Sequence, residues 1–543
     1  MAPPGTSPRR EILTQAILAG LSAVLLFWGL TEKYLWQDEA ATAVLATRML
    51  KFGRPLAYDG VNLVTVDYFA TEDTDTIGER TRDPGAAVDY YVRRGDFKPD
   101  TTWKWQPWGQ FVVAAVGLKL LGHNTLGARL PFALAGLATV LLLYRLVRRY
   151  CGSWPMAAIS ALLLLTNSYW ILHARQCRYY SLSSLLLVAT LMAYLRWQGA
   201  ERWGAAAFVA AAWCWFQVDY GTVWPVFAVL FVDSLVARRR DFRQTLATGA
   251  ALAAAIAPFL FYYELWGRHM QPARGRYDIL FMNLFNVNEY VAPFLLLAAA
   301  AILVNWRWKH LARAERHAVA IACAVVVLLL LWVPLVSPEG FLRYVIMAAP
   351  LGSLLGAWFL VRACPARFAW IAWLGALVLA ATPWLSLPGR LVGSPPEAYT
   401  AARVWRQELS ILGSEVFGDR PDPNRMTVEW LRQNAAPTDE ILIDYEDLPL
   451  EFYLPNPIRG GIPAFRAEDD AKTPPRFVVL RRSVEFMHKP VFEREIARYQ
   501  WAEAPVKIPD LIWGNNPDPM MWTEYPDEMT YLYLARRVDG TGR

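Results

Sequence analysis

Two adjacent carboxylates follow the first apolar segment of this chain and are its best candidates for chemistry. Asp38 and Glu39 lie in the stretch WQDEA, residues 36–40, a few positions after an apolar segment near residues 11–30. Carboxylates at membrane depth are costly and are usually functional, and a carboxylate within reach of a hydroxyl can accept its proton during attack. Acids are also favoured in the first turn of a helix. The pair is therefore a candidate general base, with helix capping as the alternative.

The elements that hold this pair are expected to be membrane helices. The chain has 543 residues, of which 55% are hydrophobic and 19% charged, and this is too apolar for a soluble enzyme of its length. Its apolar blocks have the length that is needed to cross about 30 Å of hydrocarbon. We predict about eleven spans, near residues 11–30, 127–147, 154–172, 181–197, 204–218, 221–237, 245–263, 290–306, 316–336, 342–361 and 368–386.

The distribution of Lys and Arg predicts how the bundle is oriented. These residues cluster in alternate short loops, so the positive-inside rule places the N-terminus in the cytoplasm. The segments 31–126 and 387–543 then lie on the outer, periplasmic or extracytoplasmic side of the plasma (inner) membrane. No small-residue cleavage site precedes Asp38, so the first span is expected to be a retained anchor. Residues 108–122 are apolar but short, and we expect a helix that lies at the interface or re-enters the bilayer.

The composition changes after Leu387. Hydrophobic blocks shorten to strand length, as in EILIDY (440–445), RFVVLRR (476–482) and TYLYLA (530–535), and a helical pattern lies between them. The predicted fold class is therefore an α-helical polytopic membrane protein with a C-terminal soluble α/β domain. We expect a transmembrane domain over residues 1–386, which includes the outer loop 31–126, and an extracytoplasmic domain over residues 387–543.

Charge and cysteine content exclude several classes of protein. The net charge of +6 comes mostly from basic residues in the predicted cytoplasmic loops, where they meet anionic lipid headgroups, and nucleic acid binding is not indicated. The five cysteines do not suggest a disulfide framework. We find neither an Asp-x-Asp nucleotide-sugar signature nor a Gly-rich phosphate loop after a cytoplasmic strand. A lipid-linked donor would explain both absences.

Three stretches of the membrane half resemble a known family. They are WQDEAATAVLATRMLKFGRPLAYDG (36–60), KWQPW (104–108) and LGARLPFALAGLATVLLLYRLVRRYCG (126–152). This pattern resembles GT-C glycosyltransferases, above all bacterial enzymes related to protein O-mannosyltransferases and to the lipid A aminoarabinose transferase. The resemblance implies about eleven transmembrane helices and an outer C-terminal domain.

The resemblance also implies a reaction. A single sugar would move from a polyprenyl-phosphate donor to an acceptor hydroxyl on the outer face, with Asp38 as general base, and direct attack would invert the anomeric centre. Glu39 would orient Asp38, bind the acceptor or help to hold a divalent cation. No other cofactor is implied, and the acceptor (glycan, lipid or protein) stays open.

A lipid phosphate as leaving group would need positive groups at the outer helix ends. Arginine suits this task because it binds phosphate in bidentate fashion. The candidates for substrate binding are Lys104, Arg175, Arg178, Tyr179, Arg343 and Tyr344, together with Arg268, Arg274 and Arg276 of the loop 264–289. Alternatively, these side chains extend to the lipid headgroups or lie in a solvated loop. Related enzymes often carry an acid near Tyr179, and its absence here argues against a metal site built from two loops.

Two other classes of protein compete with the enzyme. A transporter or lipid flippase would place ionisable groups in broken helices near the bilayer midplane, whereas the candidate charges here cluster at one face. A scaffolding subunit would leave the arginines at the outer helix ends without a reason. The sequence therefore favours a membrane glycosyltransferase.

Overall fold

The computed structural model describes most of the chain. The described residues are 7–64, 91–93, 97–237, 242–265, 277, 280, 284, 287, 291, 298, 301–302, 310–336, 342–364, 366–381, 408–419, 421–443, 445–460, 475–481, 499–510 and 531–538. The chain divides into two compact units. The bundle unit consists mainly of Met1–Gly29 and Leu130–Gly418, and the sheet unit mainly of Leu30–Arg129, Asp419–Asn516 and Met521–Arg543.

The helices and strands of the described residues are numbered here in chain order. The helices are α1 (Pro8–Phe27), α2 (Gln37–Phe52), α3 (Gly109–Leu121), α4 (Thr125–Cys151), α5 (Trp154–Leu165), α6 (Ser168–Ala174), α7 (Tyr180–Gln198), α8 (Gly204–Phe216), α9 (Val223–Ala237), α10 (Phe242–Tyr263), α11 (Arg313–Val336), α12 (Ala349–Ala363), α13 (Ala369–Ala381), α14 (Glu408–Val416), α15 (Pro423–Asn434) and α16 (Asp447–Tyr453). A 3-10 helix, Leu342–Ala348, leads into α12. The strands are β1 (Ile441–Ile443), β2 (Ile458–Gly460), β3 (Phe477–Leu480), β4 (Trp501–Glu503) and β5 (Tyr533–Arg537).

Several helices are long and apolar enough to cross a membrane. Within the described residues these are α1, α4, α10, α11 and the continuous segment Leu342–Ala363, and the bent pair of α5 and α6 makes a sixth. The helices α3, α8, α9 and α13 are apolar but shorter. A multi-pass helical protein is thus confirmed, while the count of about eleven spans stays a prediction. The predicted span 290–306 lies mostly outside the described residues.

One predicted span is broken. Residues 154–172 form α5 and α6, which meet at an angle of 69° instead of forming one straight helix. The break has a local cause, because the Asn167 side chain accepts a hydrogen bond from the Trp170 N–H at 2.8 Å and so starts a new helix. Apolar composition alone does not reveal this break.

The sheet unit contains a small mixed sheet with strand order β2-β1-β3-β5-β4. Strand β1 pairs in parallel with β2 and β3, and β5 pairs antiparallel with β3 and β4. The alternate residues Ile441 and Ile443 of β1 pack with Val428 and Leu431 of α15 in the core of this unit. The small C-terminal sheet expected from the sequence is therefore present, with strands in each of the three predicted stretches.

In the described part of the predicted loop 31–126, the helices α2 and α3 belong to the same unit and pack against each other. Helix α3 has 13 residues, so it is about 20 Å long and shorter than a hydrocarbon core of about 30 Å. Its apolar side chains Val112, Val116 and Leu120 are exposed. This is compatible with the interfacial helix that we expect over residues 108–122, which stays a prediction.

Candidate functional site

The two candidate acids lie in the first turn of α2. The helix begins at Gln37, so Asp38 and Glu39 are close to the positive end of the helix dipole, and the preceding Trp36 provides no side-chain cap. Asp38 is half-buried, whereas Glu39 is fully buried. Successive residues of a helix point in directions about 100° apart, and the two carboxylates therefore have different surroundings.

Glu39 forms a buried ion pair with Arg129. The Arg129 Nε and Nη2 atoms donate to the two carboxylate oxygens at 2.8 and 2.6 Å. The other donors of Arg129 reach the backbone carbonyl oxygens of Leu30, Lys33 and Tyr34 at 3.0, 2.8 and 3.2 Å. All five guanidinium donors are thus used. Arg129 belongs to the GARLP stretch noted in the sequence, but no role was predicted for it.

The face of α2 that carries Asp38 is directed towards α3. Thr42, one turn after Asp38 on the same face, is hydrogen-bonded to the Gln110 side chain at 3.4 Å. The Gln110 amide in turn donates to the side-chain oxygen of Gln106, four residues earlier in the loop before α3, at 3.3 Å. Lys104 lies in this same loop before α3 and is 4% exposed. The structure thus links α2, through Thr42 and Gln110, to Gln106 in the loop that also contains Lys104.

In the bundle unit, Arg175 is engaged with a neighbouring helix end. Its guanidinium donates to the backbone carbonyl oxygens of Leu25 at 3.0 Å and of Trp28 at 2.5 Å. The last carbonyl groups of a helix lack partners within the helix. Arg175 therefore provides hydrogen-bond partners for carbonyl groups at the C-terminal end of α1. Its contact with phosphate stays a prediction.

Two arginine–tyrosine pairs lie near each other in the bundle unit. The Arg178 guanidinium is 5.8 Å from the centre of the Tyr179 ring, and that of Arg343 is 5.9 Å from the Tyr344 ring. Helix α7, which follows Tyr179, packs against the 3-10 helix that carries the second pair. Burial raises the pKa of Tyr179 well above its usual range, and the charge of Tyr344 contributes to the same direction. The sequence did not predict that these two arginine–tyrosine pairs, which are far apart in the chain, would lie close together.

An acid that the sequence analysis did not select lies beside this cluster. Asp219 precedes α9 and is an electrostatic neighbour of Tyr179. Its carboxylate accepts hydrogen bonds from the backbone N–H groups of Gly221 and Thr222, from the Thr222 hydroxyl at 2.5 Å and from the Ser183 hydroxyl at 3.3 Å. Burial raises the pKa of Asp219. A different loop thus supplies an acid near Tyr179, whereas the sequence analysis noted only that the acid common in related enzymes is absent from the adjoining sequence.

The predicted site residues fall into two groups. Asp38, Glu39 and Lys104 belong to the sheet unit, and Arg175, Arg178, Tyr179, Arg343 and Tyr344 belong to the bundle unit. Arg268, Arg274 and Arg276 lie outside the described residues. In the part of the chain that the structure describes, no group of three or more His, Cys, Asp or Glu side chains is arranged to hold a metal ion. The possible divalent cation stays a prediction.

Comparison with known proteins identifies the fold. The family model described as dolichyl-phosphate-mannose-protein mannosyltransferase matches residues 106–263. The crystal structure of ArnT from Cupriavidus metallidurans bound to undecaprenyl phosphate matches with a TM-score of 0.61 and 16% identity, over 98% of this chain and 99% of that chain. The structure of the same protein in the apo state gives a TM-score of 0.58 and 16% identity, over 97% of both chains. A search of curated proteins finds no match.

The fold is therefore that of ArnT, and the resemblance to GT-C glycosyltransferases that the sequence suggested is confirmed. The family model matches residues 106–263 and the likeness to ArnT shows the fold, and both agree with the glycosyltransferase function that is proposed below.

Proposed function

We propose that this protein transfers a single sugar from a polyprenyl-phosphate donor to an acceptor hydroxyl on the outer face of the membrane. The ArnT structure of similar fold holds undecaprenyl phosphate, and this supports the class of donor. The observation that carries the assignment of residues is the first turn of α2, where one acid is neutralised by an arginine and its neighbour is half-buried. The acceptor is a glycan, a lipid or a protein.

Asp38 is the better candidate for the general base. Both oxygens of Glu39 accept hydrogen bonds from Arg129 in a buried ion pair, so this carboxylate already serves to bind the guanidinium. A general base must instead come within hydrogen-bond distance of the acceptor hydroxyl and take its proton. We therefore assign proton transfer to Asp38 and the orientation of the first turn to Glu39.

The reaction is a single displacement. The acceptor oxygen forms its bond to the anomeric carbon while the bond from that carbon to the phosphate oxygen breaks, so the configuration inverts. The hydroxyl proton moves to an Asp38 carboxylate oxygen, and the polyprenyl phosphate leaves with its electron pair. The buried Lys104, in the loop that contains Gln106, is proposed to stabilise the charge that develops on the phosphate. Phosphate binding by Arg178 and Arg343 is a separate prediction.

The orientation of the protein is part of the proposal. The protein is proposed to lie in the plasma membrane. The positive-inside rule then places its N-terminus in the cytoplasm and its C-terminal domain on the extracytoplasmic side. Labelling with a membrane-impermeant maleimide in intact cells tests this, with cysteines introduced one at a time into a variant that lacks the five native cysteines. We expect a cysteine at an exposed position of the sheet unit, such as Glu429, to be labelled. A cysteine that is not labelled there would indicate the opposite orientation.

The test of the function compares variants at equal expression. Membranes that contain the wild type are incubated with a panel of radiolabelled polyprenyl-phosphate sugars, and the transferred label is measured. We expect Asp38→Asn to lower transfer by about 10² to 10⁴-fold, the range for loss of a general base. The matched control is Glu429→Gln, an exposed carboxylate on α15, which should transfer like the wild type. Full transfer by Asp38→Asn would move the base elsewhere, and no transfer by the wild type from any donor would favour the transporter alternative.

A further inference from the structure

The carboxyl ends of the adjacent parallel strands β1 and β3 mark a topological switch point of the sheet. In the strand order β2-β1-β3-β5-β4, the strand that follows β1 in the chain (β2) lies on one side of the β1–β3 pair, and the strand that follows β3 (β4) lies on the other side. In doubly wound sheets such a switch point opens a crevice at the carboxyl ends of the strands, and ligands bind there. The residues that follow these two strands are Glu446 and Arg481.

This switch point holds part of the protein's own chain. Arg481 and Glu446 form a buried ion pair at 2.5 Å, with side chains 0% and 3% exposed. Arg481 also donates to the Asn424 side-chain oxygen at 2.6 Å, and the Asn424 amide donates to the Leu35 backbone oxygen at 3.1 Å. The cluster thus reaches the segment two residues before α2.

The next contact joins two helix N-termini. Gln37, the first residue of α2, is fully buried and donates from Nε2 to Asp447 Oδ1 at 2.6 Å. Its Oε1 atom accepts a hydrogen bond from the Leu448 N–H at 3.3 Å. The residue that precedes α16, Glu446, has a left-handed φ of 66° and provides no side-chain cap. Gln37 therefore supplies the cap of α16 from outside that helix.

Asp447 has little freedom to move away from Gln37. A methyl group in place of the hydrogen at Gly460, the last residue of β2, would lie 1.9 Å from the Asp447 Cβ atom. The end of β2 thus packs directly against the Asp447 side chain. Only a glycine leaves room for this arrangement.

The other end of α16 contacts the same segment. The Tyr453 hydroxyl accepts a hydrogen bond from the Leu35 N–H at 3.2 Å and is bonded to the Thr125 hydroxyl at 2.7 Å. Its ring stacks on Tyr34 with a centroid distance of 3.9 Å. The residues that lead into α2 are therefore held at both ends of one short helix.

We propose that Gln37 and Asp447 are positioning residues, whose hydrogen bond fixes the first turn of α2 and so aims the adjacent Asp38 carboxylate at the acceptor hydroxyl. This inference rests on the proposed function, in which Asp38 is the base. It makes the C-terminal domain part of the catalytic assembly, because the sheet holds the turn that carries the base.

A reversal of the hydrogen bond tests the proposal. Gln37→Glu removes the donor and places a second carboxylate against Asp447. The double variant Gln37→Glu with Asp447→Asn restores one donor and one acceptor with their direction reversed, and the introduced carboxylate still accepts from the Leu448 N–H. We expect kcat of the single variant to fall about 100-fold, as for a small misplacement of a catalytic group. KM should change by less than about threefold, and the double variant should recover most of the lost kcat.

Controls separate position from stability. Melting temperatures are measured for all variants, with Glu429→Gln as the exposed control in the same domain. If Gln37→Glu does not fold, Gln37→Met replaces it, since its side chain has a similar volume without hydrogen bonds, and the same loss of kcat is expected. A wild-type kcat in Gln37→Glu or Gln37→Met would overturn the proposal, and so would a folded double variant with no recovery.

The fate of Asp38→Asn distinguishes this inference from the function on which it rests. An inactive Asp38→Asn together with an unaffected Gln37→Glu would remove the positioning role alone. A fully active Asp38→Asn would remove both.

Discussion

The Glu39–Arg129 pair gives a quantitative test of how the first turn of α2 is held. Glu39→Gln would leave the Arg129 cation buried without its counter-charge, since the two side chains are 0% and 9% exposed. Removal of one partner of a buried pair costs about 3–5 kcal/mol. For a unit of this size each kcal/mol lowers the melting temperature by about 2–4 °C. We expect a decrease of about 10 °C, measured by thermal unfolding of the purified protein in detergent.

The reverse substitution should be more damaging. Arg129→Gln leaves the Glu39 carboxylate unpaired and also removes the donors to three backbone carbonyl oxygens. Each buried acceptor that loses its partner costs about 1–3 kcal/mol more. The expected order of stability is therefore wild type, Glu39→Gln, Arg129→Gln. A melting temperature of Glu39→Gln within about 2 °C of the wild type would refute the structural role of the ion pair. A role of Glu39 in binding the acceptor or a cation would then be favoured.

Three further outcomes follow from the described contacts. Gly460→Ala should displace the Asp447 side chain and destabilise the protein by about 1–3 kcal/mol, as overpacking does, and denaturant unfolding measures this. Burial raises the pKa of the Glu451 carboxyl to about 7. The folded state therefore tolerates the protonated carboxyl better than the ionised one, and the free energy of unfolding decreases as the pH rises towards 7. The melting temperature of Glu451→Gln should therefore fall less between pH 5 and pH 8 than that of the wild type, which a pH series of thermal scans checks. Arg175→Gln should lower the melting temperature because it removes the hydrogen bonds to the carbonyl groups at the end of α1. Arg178→Gln should mainly raise the KM for the lipid donor. Equal effects of the two substitutions on KM would contradict these separate roles.

Much of the architecture could be predicted from local patterns. The apolar blocks predicted membrane helices, the acids of WQDEA predicted a helix start, and short hydrophobic blocks predicted the strands of the small sheet. These predictions succeed because hydropathy, capping and strand alternation act over a few neighbouring residues. The break at Asn167 was also local, but a run of apolar residues concealed it.

The contacts that define the candidate site were not predictable in this way. Glu39 meets Arg129 across 90 positions of the chain, and Gln37 meets Asp447 across 410. The sequence by itself determined that this is a membrane protein with a pair of acids at a helix start. Only the tertiary structure decided which acid is neutralised and which helix holds the turn, because a hydrogen bond between distant residues depends on the path of the chain that brings them together.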